Sequence, residues 1–266
     1  MVLRFFAILL LATVINACDS NSRNSNSNSS NPNSNANSNT APAPTFAPPE
    51  PIRPTSAADP NFKAANAYFP LAPGSTLKYT IHYASPIIAN VIVVVDAGQE
   101  DGKKVFTQTW QIVDTGGGDE KNETTVRKYV MEGDNVRQVY EKTENTFRGQ
   151  KSSSELKFKD GTIMPGLSSI RPGASWAQTF SQVFQLPNQP PASDDKTITV
   201  SMKVSGRESV TVPAGKFTGL KVIRSVSGNK LEISEYYVPG LGLVKREGGD
   251  GTRMELTEFS GLKPAE

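Results

Sequence analysis

The chain has 266 residues, with 28 Lys and Arg against 26 Asp and Glu, one His and one Cys. Its charges are interspersed and near balance, which excludes the basic stripe of a nucleic-acid surface, and no nucleic-acid partner is expected. A single cysteine excludes an internal disulfide and any cysteine-rich metal cluster.

Met1 to Arg4 is a short basic start, and Phe5 to Ile15 is almost wholly apolar. That run is too short for a bilayer, which needs about 20 residues, and it fits the apolar region of an export signal. The residues Ile15-Asn16-Ala17-Cys18 end it. They resemble the lipobox of bacterial lipoprotein signal peptides, with Asn16 standing where a smaller residue is usual. The resemblance implies a signal peptide over 1–17 and lipid attachment at Cys18, by diacylglycerol and in many bacteria a further acyl chain such as palmitate. Two chains anchor stably where one does not. The partner implied is a membrane, and the location is the cell envelope on the exported side. The alternative is an ordinary secretory signal that leaves Cys18 a free thiol.

Residues 18–60 read as a tether. Asp19 to Asn39 is nearly all Asn and Ser, which cannot bury enough apolar surface to offset the entropy of ordering. Thr40 to Pro60 is Pro-rich and favours stiffer, extended chain. A β-rich domain is expected over 61–263.

In that domain the apolar period is two. Leu77 to Tyr83 alternates with odd positions apolar, and Ile198 to Val204 with even ones, as half-buried strands do. Ile87 to Val95 is a nearly continuous β-branched run, expected where both faces are covered. Gly with Asp, Asn or Pro punctuates the chain, for example at Gly102, Gly133, Gly161, Gly215 and Gly228. Strands are predicted at 75–84, 88–97, 103–114, 122–132, 135–143, 153–159, 175–184, 196–212, 216–227, 230–238, 242–248 and 252–260. Short helices are predicted only around Asn61 to Asn66 and Gly166 to Ile170. The fold expected is mainly β: a single antiparallel meander forming an open barrel or strongly curved sheet, since wide flat sheets are unusual. A two-sheet sandwich is the alternative.

Two segments carry a second resemblance. Tyr68-Phe69-Pro70-Leu71 with Gly74 and Tyr79 opens the domain. Val212-Pro213-Ala214-Gly215-Lys216-Phe217 and Glu235-Tyr236-Tyr237-Val238-Pro239-Gly240-Leu241-Gly242-Leu243-Val244-Lys245 lie toward its end. Together they resemble a group of uncharacterised bacterial lipoproteins that includes those called TapB-type. The resemblance implies a β-rich exported domain and no particular activity.

No catalytic residues, cofactor or metal site are expected. His82 is the only His and falls on a polar strand face, so no Ser/His or Cys/His pair forms without it. Thr115 to Glu120 is Gly-rich without the Lys-Ser/Thr ending of a phosphate loop. Asp194-Asp195 and Gly249-Asp250-Gly251 lack the oxygen-ligand spacing of a calcium loop. Trp110, Trp176, Phe180 and Phe184 are candidates to line an apolar cavity, since barrel mouths are common ligand sites. The function expected is a membrane-anchored, non-enzymatic binding or scaffold module of the envelope, with an apolar ligand or an envelope protein as partner. The alternatives are a carrier or sensor of a lipid or other apolar ligand, and a hydrolase using paired carboxylates.

Overall fold

The structure, a computed structural model, describes residues 49–84, 88–114, 121–147 and 149–265. The expectations for the signal peptide, Cys18, most of the tether and the Thr115 to Glu120 segment lie outside the described residues.

Twelve strands follow in order: β1 (Thr76–His82), β2 (Ile88–Glu100), β3 (Lys103–Asp114), β4 (Lys121–Glu132), β5 (Asn135–Phe147), β6 (Gln150–Gly161), β7 (Ser175–Gln185), β8 (Ala192–Val212), β9 (Gly215–Val226), β10 (Glu232–Val238), β11 (Gly242–Gly248) and β12 (Arg253–Ser260). Each pairs antiparallel with its neighbour in sequence, and β1 pairs with β12 from Thr76↔Ser260 to His82↔Arg253. The meander therefore curls as expected and closes on itself as a barrel. Closure pairs the first and last strands with each other, so neither is left as an exposed sheet edge. The curvature has local causes. Bulges interrupt the register at Lys78/Tyr79, Lys128/Tyr129, Phe158/Asp160, Phe180/Gln182, Val204/Gly206 and Tyr236/Tyr237, and each bends and twists its strand.

Alternation decides what faces inward. Ile81 on β1, Val91, Val93 and Val95 on β2, Met202 on β8, Val244 on β11, and Met254 and Leu256 on β12 are all buried. The predicted helix near Gly166 is a single 3-10 turn, Leu167–Ser169. Asn61 to Asn66 is not helical. There Asp59 makes a local turn, its Oδ1 and carbonyl oxygen accepting from the Asn61 and Phe62 amides.

A meander sends alternate turns to opposite ends of the barrel. One end carries the β2–β3, β4–β5, β8–β9 and β10–β11 turns, and residues 66–75 lie across it. Asn66 is 1% exposed and binds both walls. Its Nδ2 donates to Asp134 O at 2.8 Å and Pro165 O at 2.9 Å, while its Oδ1 accepts from the Tyr68 and Phe69 amides. Tyr68 Oη accepts from Arg207 Nη2 at 2.7 Å, and Phe69 packs edge-on against Tyr129 of β4. The Gly240 amide donates to Ala67 O at 2.7 Å. Tyr79 Oη donates to Leu243 O at 2.8 Å, so the motifs near the start and end of the domain touch. Gly240 also has φ +82, and a Cβ there would lie 2.0 Å from Lys263 O, so the motif glycine answers to both turn geometry and close packing.

Contact with the barrel begins before the boundary at 61 read from sequence. Gln111 Nε2 donates to Glu50 O at 2.9 Å, and the Thr55 amide and hydroxyl both donate to Asp96 Oδ1.

Candidate functional site in the barrel lumen

An eight-stranded barrel is just wide enough for side chains to fill, and diameter grows with strand number. Twelve strands therefore need longer arms to reach the middle. This chain supplies Arg, Glu, Gln, Tyr and Trp at inward positions of strands that otherwise alternate apolar and polar. Arg127, Tyr129, Glu141, Gln108, Gln138, Gln178, Gln182, Arg224, Glu235 and Tyr237 are all buried or nearly so.

Two ionic clusters result. On the β9–β11 wall, Glu235 is fully buried and accepts from three groups. Arg246 Nε and Nη2 reach its Oε1 at 2.9 and 2.6 Å, and Tyr237 Oη donates to Oε2 at 2.8 Å. Arg224 Nε stands 3.4 Å from Oε2, close enough to pair in charge but misaligned for a hydrogen bond. Burial alone would raise the Glu235 pKa. The Arg224 and Arg246 guanidiniums and the hydrogen bonds from Tyr237 and Arg246 outweigh it and hold the carboxyl below its ordinary value.

On the β4–β5 wall, Arg127 Nε and Gln138 Nε2 both donate to Glu141 Oε2 at 2.8 Å. The Arg127 guanidinium lies 4.7 Å over the Trp110 ring, which in turn stacks on Tyr79 at 5.9 Å. Tyr129 lies in the field of both clusters. Burial raises its pKa, with Arg127, Arg224 and Arg246 opposing and Glu141 adding. The phenol stays neutral and donates to Gln108 Oε1 at 3.2 Å.

The lumen is not fully satisfied. Among the described residues, Ser154 Oγ, Gln178 Oε1, Gln182 Nε2, Arg224 Nε and Arg246 Nη1 are buried without a hydrogen-bond partner. Leaving such a group unpaired costs about 1–3 kcal/mol, so several together call for a reason. Arg127 and Arg246 keep 13% and 12% of their side-chain surface exposed. Register places both on the inward face, Arg127 opposite Gln108 and Arg246 opposite Glu235.

The residues singled out in the sequence lie in different surroundings. Trp110 is buried in the lumen between Tyr79 and Arg127. Trp176 is half-buried, with Nε1 donating to Ile163 O at 3.1 Å. Phe180 is buried against Phe158, and Phe184 is half-buried opposite Ser154 and Ala192. Gln178 and Gln182 flank Phe180 and are themselves buried, so polar amides break the aromatic row on β7. His82 is half-buried and paired in register with Ile88 and Arg253. Asp250 Oδ1 accepts from the Thr252 amide at 2.9 Å, which makes it a turn residue. The side chains of Asp194 and Asp195 lie outside the described ones.

The ionic clusters were missed in the sequence, although a signal for them is present. Arg224 follows Leu220 and Val222 on one face, Glu235 precedes Tyr237, and Arg246 follows Val244. A charge in phase with the apolar face of a strand marks a buried polar site.

Away from the lumen, the capped end bears a groove of about 840 Å3 that includes Phe62, Phe69 and Phe106, with Lys63, Lys104 and Arg137 beside them.

No protein-family model matches the chain. No curated protein matches it either. Two solved structures are similar over most of the chain. One, from Bacteroides fragilis, is provisionally described as an exported protein with a YmcC-like fold. It has 13% identity and a TM-score of 0.43 over 73% of this chain and 99% of that one. The other, from Parabacteroides distasonis, is provisionally described as a lipoprotein. It has 13% identity and a TM-score of 0.34 over 74% of this chain and 100% of that one.

Proposed function

We propose that the chain is an exported, lipid-anchored envelope protein whose barrel is a non-enzymatic binding module, and that the lumen takes a polar ligand. The observation that carries the ligand reading is the set of buried, unpartnered polar atoms on the lumen wall. The lipobox-like Ile15 to Cys18 segment supports the anchor. Contact between the Tyr68 and Gly240 segments supports reading the two lipoprotein-like motifs as one structural unit.

The polar lining weighs against an apolar carrier. A hydrocarbon chain laid beside Arg224, Arg246 and Glu235 would leave polar atoms no means of satisfying their hydrogen bonds. The hydrolase reading fares no better at Glu235 or Glu141. Both already accept from several donors, and the Glu235 carboxyl, held below its ordinary pKa, is a poor general acid.

The test is native mass spectrometry of the protein released from envelopes, compared with its denatured mass. A polar adduct lost on denaturation is the expected result, and a co-purifying lipid would overturn the lumen reading. Separately, Cys18→Ser should move the protein from the membrane to the soluble fraction. Unchanged fractionation would refute the anchor.

A further inference from the structure

We infer that the lumen site is built for an oxyanion, a carboxylate or phosphate group received by Arg246 and Arg224 on either side of Glu235. The inference rests on the polar-ligand reading and narrows it.

Charge count comes first. Two guanidiniums face one carboxylate on the β9–β11 wall. The hydroxyl groups nearby, on Tyr237, Tyr79 and Tyr129, are held neutral, since burial raises all three. Across the lumen, Arg127 is matched by Glu141, with the half-buried Glu123 also acting on it. The β9–β11 wall by itself therefore carries one more positive than negative charge, while Glu141 and Glu123 together outnumber Arg127 across the lumen.

Donor geometry agrees. Both Glu235 oxygens already accept bonds, whereas Arg246 Nη1 has no hydrogen-bond partner and Arg224 Nε has only its ion pair with Glu235 at 3.4 Å. A guanidinium presents its donors as a planar fork that matches carboxylate and phosphate oxygens. Arg246 pairs in register with the inward Glu235 and keeps 12% of its side-chain surface exposed. The neutral unpartnered atoms, Gln178 Oε1, Gln182 Nε2 and Ser154 Oγ, lie on β6 and β7. They suit hydroxyl groups on the remainder of the same molecule.

The experiment titrates inorganic phosphate, glucuronate and glucose at constant ionic strength into the full chain carrying Trp176→Phe. Trp110 is then the only tryptophan. It stacks on Tyr79, a ring in the field of Arg246, so its emission reports on the site, and the thermal midpoint is read in parallel. Phosphate or glucuronate should shift the emission and raise the midpoint, and which of them does so tells the two oxyanion sources apart. Arg246→Gln should weaken that binding about tenfold to a hundredfold, as loss of a charged hydrogen bond does. Arg246→Lys keeps the charge without the fork. It should stay folded and still bind more weakly, which covers the case in which Arg246→Gln does not fold. Arg137→Gln, at an exposed pair with Glu132, should bind as the parent does. Glucose binding as tightly as glucuronate would overturn the oxyanion inference and leave the polar-ligand reading standing. Binding by none of the three would overturn the inference, and polar adducts in the native mass spectrum would then decide the wider reading. An anion effect equal in the parent and in both Arg246 variants would place binding on the surface and also overturn it.

Discussion

Glu235→Gln is expected to lower stability by about 3–5 kcal/mol near neutral pH, the cost of breaking a buried ion pair from one side. The substitution keeps the shape but leaves Arg224 and Arg246 facing each other without a counter-charge. The effect should depend on pH with a fixed sign. The folded carboxyl sits below its ordinary value of 4.5, and the unfolded chain regains that value. Its contribution is therefore complete above about pH 4.5 and is lost as pH falls through the folded value. Urea unfolding of both proteins across this range should give curves that are far apart near neutrality and converge in acid. Equal stability near neutrality would mean that the cluster contributes nothing to the fold.

Asn66→Ala is expected to cost at least about 3 kcal/mol, because it orphans several buried groups at about 1–3 kcal/mol each. The Asn66 side chain joins the β4–β5 turn, through Asp134 O, to the loop before β7, through Pro165 O, while it holds the Tyr68 and Phe69 amides. The loss should appear as a lower thermal midpoint with faster amide exchange through residues 66–75. A loss below about 1 kcal/mol would mean that this segment merely rests on the barrel.

The strands were legible because a barrel wall with one wet face writes a period of two into the chain. Each of the twelve predicted segments overlaps one observed strand. The ends were less legible. β5 runs on to Phe147 and β8 starts at Ala192, through Glu, Asn and Asp residues of low strand propensity, held there by pairing with neighbours. The curl into a barrel was legible from the strand number, but the pairing of β1 with β12 was not, since it depends on accumulated twist and on bulges with no sequence mark of their own. The lumen followed from closure. Once twelve strands form a ring, some inward residues must be long to reach the middle, and that is why Arg224, Glu235 and Arg246 sit where an alternating pattern predicts apolar side chains. The aromatic residues Trp110 and Phe180 were located by pattern, but their surroundings were not. Gln108, Gln178 and Arg127 become their neighbours only through strand pairing and curvature.

The most direct test of the account is a crystal structure of the protein isolated from envelopes and grown in a medium free of phosphate and carboxylate buffers. The account predicts density in the lumen for a polar molecule with an anionic group against Arg246 Nη1 and beside the Arg224 guanidinium, and Glu235 paired as described. Acyl-chain density along the lumen, or Arg224 and Arg246 turned away from Glu235 into solvent, would contradict it.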